Sequence, residues 1–361
     1  MDRPQPATGP GAMVRWIRDQ AEGCGELGSP LYHELLHHVA DDLLAGGPAA
    51  VVLSGHENDP GPSALALRLM GGVHRLVLTG RAPGLAAYYP SVGGEPGDTS
   101  AWPALRSVLE EHLDELRSAL LTPPQTNEVG RAAALIGGLH HVVARRPRPV
   151  RLLEIGASAG LNLRADRFRL DTADGPVGPP DSPVSLGSAW RGVIPPRDVR
   201  LEVVERLGCD PDPVDPTSAA GRLRLTSYVW PDQTERLARL RGAIAVAEQV
   251  PAEVRSSSAL DFLRSVRLEP GTTTVVWHST MWQYLSADER ARVTARLAEL
   301  GEGVTPDTGL VELALEPTRR ARDSRHRLLA VLRSWPGGGA QILAEAAPHG
   351  IPTVWEAAPA E

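Results

Sequence analysis

There is no lysine in this 361-residue chain; all 37 basic side chains are arginine. That excludes a lysine Schiff base to pyridoxal phosphate and the lysine of a Walker-type phosphate loop. Cys24 and Cys209 are the only cysteines, too few for a disulfide scaffold or a four-thiolate zinc site. Aromatics are scarce at 4%, with two Phe, so Leu, Val and Ala must build most of the core. No apolar run approaches the length of a membrane span. The polar, Pro- and Gly-rich stretch from Met1 to Met13 carries no hydrophobic segment of the signal-peptide kind. A net charge of −7 offers no basic face for a phosphate backbone. The composition points to a soluble cytoplasmic protein acting on a small molecule, without a nucleic-acid or membrane partner. It leaves the oligomeric state open.

What is present changes character at Arg146-Pro147-Arg148-Pro149. Upstream the pattern is helical: Leu105, Val108, Leu109, Leu116 and Leu120 follow a helix period, with charged residues on the other face. Residues 30–44 and 63–78 share it, separated by the clusters Gly46-Gly47-Pro48 and Asp59-Pro60-Gly61-Pro62. A further helix is expected to open at Thr126 and run to Val143. Residues 50–53 are compatible with a short extended segment. Downstream, strand-like and helix-like segments alternate. Strands are expected at 150–155, 199–204, 252–256, 272–277 and 310–315, with 203–215, through Gly208-Cys209-Asp210, as a further candidate, and helices at 232–249, 259–266 and 286–300. Such alternation implies a parallel sheet covered on both faces. Two strands around Pro336-Gly337-Gly338-Gly339 close the chain as an antiparallel hairpin at the sheet edge. The Pro- and Gly-rich segment 167–198 is expected as a loop or small β insertion. The expected domains are a helical cap or lid, residues 1–148, and an α/β domain, residues 149–361.

The first strand ends in Glu154-Ile155-Gly156-Ala157-Ser158-Ala159-Gly160. A Gly-rich turn lets a ligand approach the backbone closely. Glu154 is the more telling residue, because a charge at the end of a buried strand is costly unless a partner meets it. In open parallel sheets ligands sit at the carboxyl ends of strands. This segment resembles motif I of the class I S-adenosylmethionine-dependent methyltransferases, an acidic residue followed by Gly-x-Gly-x-Gly, with Ser158 in place of the middle glycine. The resemblance implies a Rossmann-type sheet of seven strands with a terminal antiparallel hairpin, binding S-adenosylmethionine. Glu154, Gly156, Ala157, Ser158, Gly160 and Asn162 would surround the cofactor. Asp210, with Glu205 as its rival, would meet the ribose, and Asp261 is the nearest acid for the adenine. Along Pro123-Pro124-Gln125-Thr126-Asn127-Glu128, Leu152 to Asn162 and Val276-Trp277-His278-Ser279, the whole chain resembles an uncharacterised domain-of-unknown-function family of high-GC bacteria. That likeness implies no activity.

Gly156-Ala157-Ser158-Ala159-Gly160 also satisfies G-x-S-x-G, the nucleophile elbow of α/β-hydrolases, with Glu312 or Asp323 and His349 to complete a triad. Against it, no strands precede the elbow, and an acid stands where a strand residue is normally apolar. A tight turn needing small residues for packing explains the glycines but not Glu154. His278, at the end of the strand 272–277, is a candidate general base, with a backbone-bonded strand-end histidine as the equally good alternative. Asn127 and Glu128 are candidates for a lid or substrate contact, although a helix cap explains them too. Trp277, Trp282, Tyr284, Tyr228 and Trp230 are candidate aromatic walls. His33-Glu34-Leu35-Leu36-His37 matches the H-E-x-x-H zinc motif, but too little chain precedes it for a protease cleft. Glu57 lies before Asn58-Asp59-Pro60-Gly61-Pro62, which cannot continue a helix. The histidines are expected to face solvent, and no metal is expected.

Overall fold

The computed structural model describes residues 9–59, 63–97, 99–320 and 325–356, so Pro60-Gly61-Pro62 and Asp323 lie outside the described residues. The chain divides into two compact units, Met1–Thr126 with Ala219–Leu237, and Asn127–Ser218 with Ala238–Glu361. The compact boundary therefore falls at Thr126/Asn127, upstream of the change in sequence character.

The first unit is helical: α1 (Pro10–Glu26), α2 (Pro30–Leu44), α3 (Pro48–Leu53), α4 (Leu65–Leu78), α5 (Pro83–Ala86), α6 (Trp102–Glu111) and α7 (Leu113–Ala119). Proline opens α1, α2, α3 and α5, where no intrahelical N–H bond is lost. Residues 50–53, compatible with an extended segment by sequence, are helical. Pro48 starts the turn, and Ala49, Val52 and Leu53 are buried at helical spacing. The core gathers Ile17, Leu35, Leu36, Leu69, Met70 and Leu105, among others.

The second unit begins with a 3-10 turn, Val129–Arg131, capped by Glu128, and then α8 (Ala132–Arg145). The helix expected from Thr126 thus starts later, because Asn127 and Glu128 are committed to side-chain bonds described below. Then follow β1 (Val150–Ile155), β2 (Leu170–Thr172), β3 (Gly175–Val177), β4 (Trp190–Gly192) and β5 (Val203–Asp210). Next come α9 (Ala219–Ser227), α10 (Thr234–Gln249), β6 (Glu253–Ser256), α11 (Ala259–Ser265) and β7 (Thr273–Ser279). The chain continues with α12 (Ala287–Glu302), β8 (Gly309–Thr318), β9 (Arg327–Trp335), β10 (Ala340–Ala346) and β11 (Thr353–Trp355).

The main sheet has the order β4-β11-β10-β9-β8-β7-β1-β5-β6. Among the described residues it holds nine strands, not seven. The terminal hairpin β9–β10 is antiparallel as expected, but β11 and β4 extend the sheet beyond it. β4 comes from the expected insertion, which also folds its own β2–β3 hairpin. Strands β6, β5, β1, β7 and β8 are mutually parallel. Their order reverses between β1 and β7, the position at which open α/β sheets bind ligands.

One face of the sheet packs Leu153, Ile155, Val276 and Cys209 with Phe262 of α11 and Leu297 of α12. On α8, Gly137 and Gly138 admit Trp355 and Leu313, because a Cβ at either glycine would overlap those side chains.

The segment Ala219–Leu237 leaves the sheet unit and belongs with the helices. Several of its bonds lie within that unit. Asp232 accepts from Ser29 Oγ at 2.6 Å and from the Leu31 N–H at 3.0 Å, capping α2. Gln233 donates to the Leu27 carbonyl, and Trp230 lies 6.3 Å from the Tyr32 ring. His74 bridges the Ser227 carbonyl and Ser91 Oγ. Trp230 therefore belongs to the helical unit's core, and Tyr228 lies beside Gly71 of α4.

Candidate functional site

The register of the sheet decides which side chains meet. Glu154 pairs with Gly208 on β5 and Trp277 on β7. In a parallel sheet paired residues point to one face and successive residues alternate. Glu154 thus shares a face with Trp277 and, one strand over, with Asp210. Gly208 beside it offers no side chain, and a Cβ there would fall 2.7 Å from that of Ala157. Glu154 is 2% exposed, and its Oε2 has no hydrogen-bond partner. Burial pushes its carboxyl up to about 8; the nearby Trp277 indole opposes the rise, and Asp210 adds to it. The Trp277 indole N–H falls short of hydrogen-bond geometry and is likewise unpartnered.

The turn that follows is strained in the way its sequence foretells. Gly156, Ser158 and Gly160 have φ of +70°, +52° and +64°, and at Ser158 a side chain sits in the left-handed region that favours glycine. Much of its backbone polarity is taken up internally. Ala157 N–H bonds the Cys209 carbonyl, Ser158 N–H donates to Asp210 Oδ2 at 2.9 Å, and Leu161 N–H donates to Asn127 Oδ1 at 2.8 Å. Asn162 donates to the Glu128 carbonyl, while its own buried Oδ1 has no partner. Glu128 closes on the Gly130 N–H. Arg164, buried, donates to the Gly160 carbonyl. The turn leads into a 3-10 helix, Leu161–Arg167, with non-helical angles at Arg164.

Glu154, Ala157, Ser158, Asp210, Asn162, Asn127 and Glu128 are therefore gathered around the Gly156–Gly160 turn. His278 and Asp261 are not. His278 follows Trp277, so alternation sends it to the sheet face opposite Glu154. There it is 2% exposed, with Nδ1 2.9 Å from Glu316 Oε1 and Nε2 3.4 Å from Glu312 Oε1. Burial pulls its pKa down most strongly, but the bonds and charges of Glu312 and Glu316 together outweigh that and raise it to about 9. Expected as a general base at the cofactor turn, His278 instead lies on the other sheet face, its ring nitrogens facing Glu316 and Glu312. Asp261 is exposed on the first turn of α11, bonded to Ser258 and Arg264; its carboxylate serves the helix cap rather than a pocket at the sheet.

Sequence reasoning named Trp282 and Tyr284 in the loop after β7 but missed that Glu316 anchors it. Glu316 accepts the backbone N–H groups of Met281 and Trp282 as well as His278, and Trp282 stacks on His278 at 4.8 Å. This places Met281 over the turn, where a Cβ on Gly156 would fall 2.8 Å from Met281 Cβ. The signal was available: Glu312 and Glu316 both fall on one face of an otherwise apolar strand. For the hydrolase alternative, Glu312 is spent on His278 and Arg333, and β1 is the first strand among the described residues. Among the described residues no helix is long and apolar enough to cross a membrane.

A model of the DUF2332 family, uncharacterized proteins conserved in bacteria, matches residues 14–355, and the chain belongs to that family. No curated protein matches it. Among solved structures it is similar to the plantazolicin methyltransferase BamL, crystallised with a triazolic desmethylPZN analog and SAH, at 11% identity and a TM-score of 0.26. The match covers 68% of this chain and 60% of that one; so slight a likeness carries no weight beside the strand order itself.

Proposed function

From a DUF2332 chain whose first strand ends in a buried, half-unpartnered carboxyl, we propose an S-adenosylmethionine-dependent transferase that passes a methyl group to a small molecule. The observation that supports this most is Glu154. A carboxyl buried to 2% exposure with a free Oε2 is costly unless a donor or cation meets it, and it lies where the parallel strand order reverses. The residues fit the cofactor in part. Glu154 would take its ammonium group, the free Asn162 Oδ1 a further donor, and Asp210, which keeps lone pairs beyond those given to Ser158 and Asp212, the ribose hydroxyls. Asp261 does not fit the adenine. Bound there, S-adenosylmethionine would supply an electrophilic methyl group. The protein's contribution is positioning, with His278 on the sheet face opposite Glu154.

Calorimetry with S-adenosylhomocysteine tests the proposal. Binding is expected for the wild type and lost in Glu154→Ala. Near neutral pH it should release protons, because an ammonium at Glu154 favours the ionised carboxylate. Repeating the titration in buffers of different ionisation enthalpy measures that release. The left-handed backbone of Ser158 keeps a second reading in view, a strained nucleophile on a G-x-S-x-G turn. Labelling by a fluorophosphonate that disappears in Ser158→Ala would establish it and sink the cofactor site.

A further inference from the structure

His33 and His37 stand four residues apart on α2, which puts both rings on one helix face; their centroids are 4.7 Å apart. The sequence leaves them as solvent-facing histidines. The fold adds a third group from the neighbouring helix: Glu22 of α1 approaches both, with Oε1 3.1 Å from His37 Nε2 and Oε2 4.0 Å from His33 Nδ1. One ligand atom from each residue lies within 4.8 Å of the others, the only such trio among the described residues. His33 Nδ1 also lies 3.1 Å from the Ala21 carbonyl, so to take a metal the ring gives up that bond or offers Nε2 instead.

We propose that Glu22, His33 and His37 form a site for a divalent transition-metal ion, zinc above all, that clips α1 to α2. Two imidazoles and a carboxylate suit zinc and its neighbours and not magnesium or calcium, which take oxygen ligands. The other parts of an H-E-x-x-H protease are missing. Glu34 bonds Ser100 Oγ and lies 4.0 Å from His38. Glu57 holds the Gly55 N–H. The site therefore binds and braces, and it carries no hydrolytic role.

The test uses the untagged full chain, stripped with a chelator and titrated with Zn²⁺ by calorimetry and with Co²⁺ by visible absorption. One ion per chain is expected, with the Co²⁺ bands of a four-coordinate site and a Tm that rises with metal and returns on chelation. His33→Ala and His37→Ala should each weaken binding by more than the roughly 10–100-fold typical for loss of an outer-shell partner. Glu22→Gln should weaken it measurably, and His326→Ala should leave it unchanged. Circular dichroism of each variant separates lost binding from lost folding. Absence of binding, binding that survives in either histidine variant, or indifference to Glu22→Gln overturns the proposal.

Discussion

In the helical unit Asp232 is half-buried with both carboxylate oxygens engaged, one by Ser29 and one by the Leu31 N–H. In the sheet unit Glu154 is more deeply buried, yet Oε2 meets nothing. Both acids sit at element ends, and both were visible in the sequence. The first fastens a helix terminus to a distant segment and is explained by the fold. The second is a cost that the fold alone leaves unexplained, and that asymmetry is what marks a site. His278 sides with the first kind, its Nδ1 and Nε2 facing Glu316 and Glu312.

The comparison can be broken most forcefully at His278. His278→Ala leaves the buried Glu316 without its cation, while Glu312 keeps Arg333, and is expected to cost about 3–5 kcal/mol in chemical denaturation. It should also release the 280–286 segment, read as faster hydrogen exchange at Met281 and Trp282. Glu154→Leu should act in the opposite sense, raising stability by about 1–3 kcal/mol while abolishing S-adenosylhomocysteine binding. A stability loss there would mean that Glu154 is a structural fastener after all. Asp232→Ala should cost about 1–2 kcal/mol through the lost α2 cap, with ligand affinity unchanged. The effect of pH follows the two raised pKa values. Folding holds a proton on Glu154 between the ordinary 4.5 and about 8, and on His278 between 6.5 and about 9. Stability should therefore fall as pH rises through these windows, and Glu154→Leu should remove the lower one from urea midpoints measured across the range. The smallest effect belongs to Asp261→Ala: a slight Tm decrease from the weakened α11 cap and no change in ligand affinity.

Much of the α/β core was legible because its signals are local. The apolar run 150–155 and the Thr- and Val-rich run before His278 are strands. Ser286 and Glu289 form the capping box their spacing foretells. Glu154 stood out as an acid in an apolar run. What escaped is tertiary. β4 and β11 have three residues each, too few to show alternation. The assignment of 219–237 to the helices rests on pairs such as Ser29 and Asp232, 203 positions apart. The face on which His278 emerges depends on the β1–β7 register, which no spacing in the sequence states. Its protonation depends in turn on Glu312 and Glu316, brought alongside only by the β7–β8 pairing.

The return of Ala219–Leu237 to the helical unit has a consequence for the order of synthesis. The first 126 residues leave the ribosome long before Asp232, Gln233 and Trp230 exist. Until then α2 lacks part of its cap and Tyr32 lacks its aromatic neighbour. The helical unit cannot complete itself as an amino-terminal fragment; it must wait, partly formed, while β1 to β5 are made.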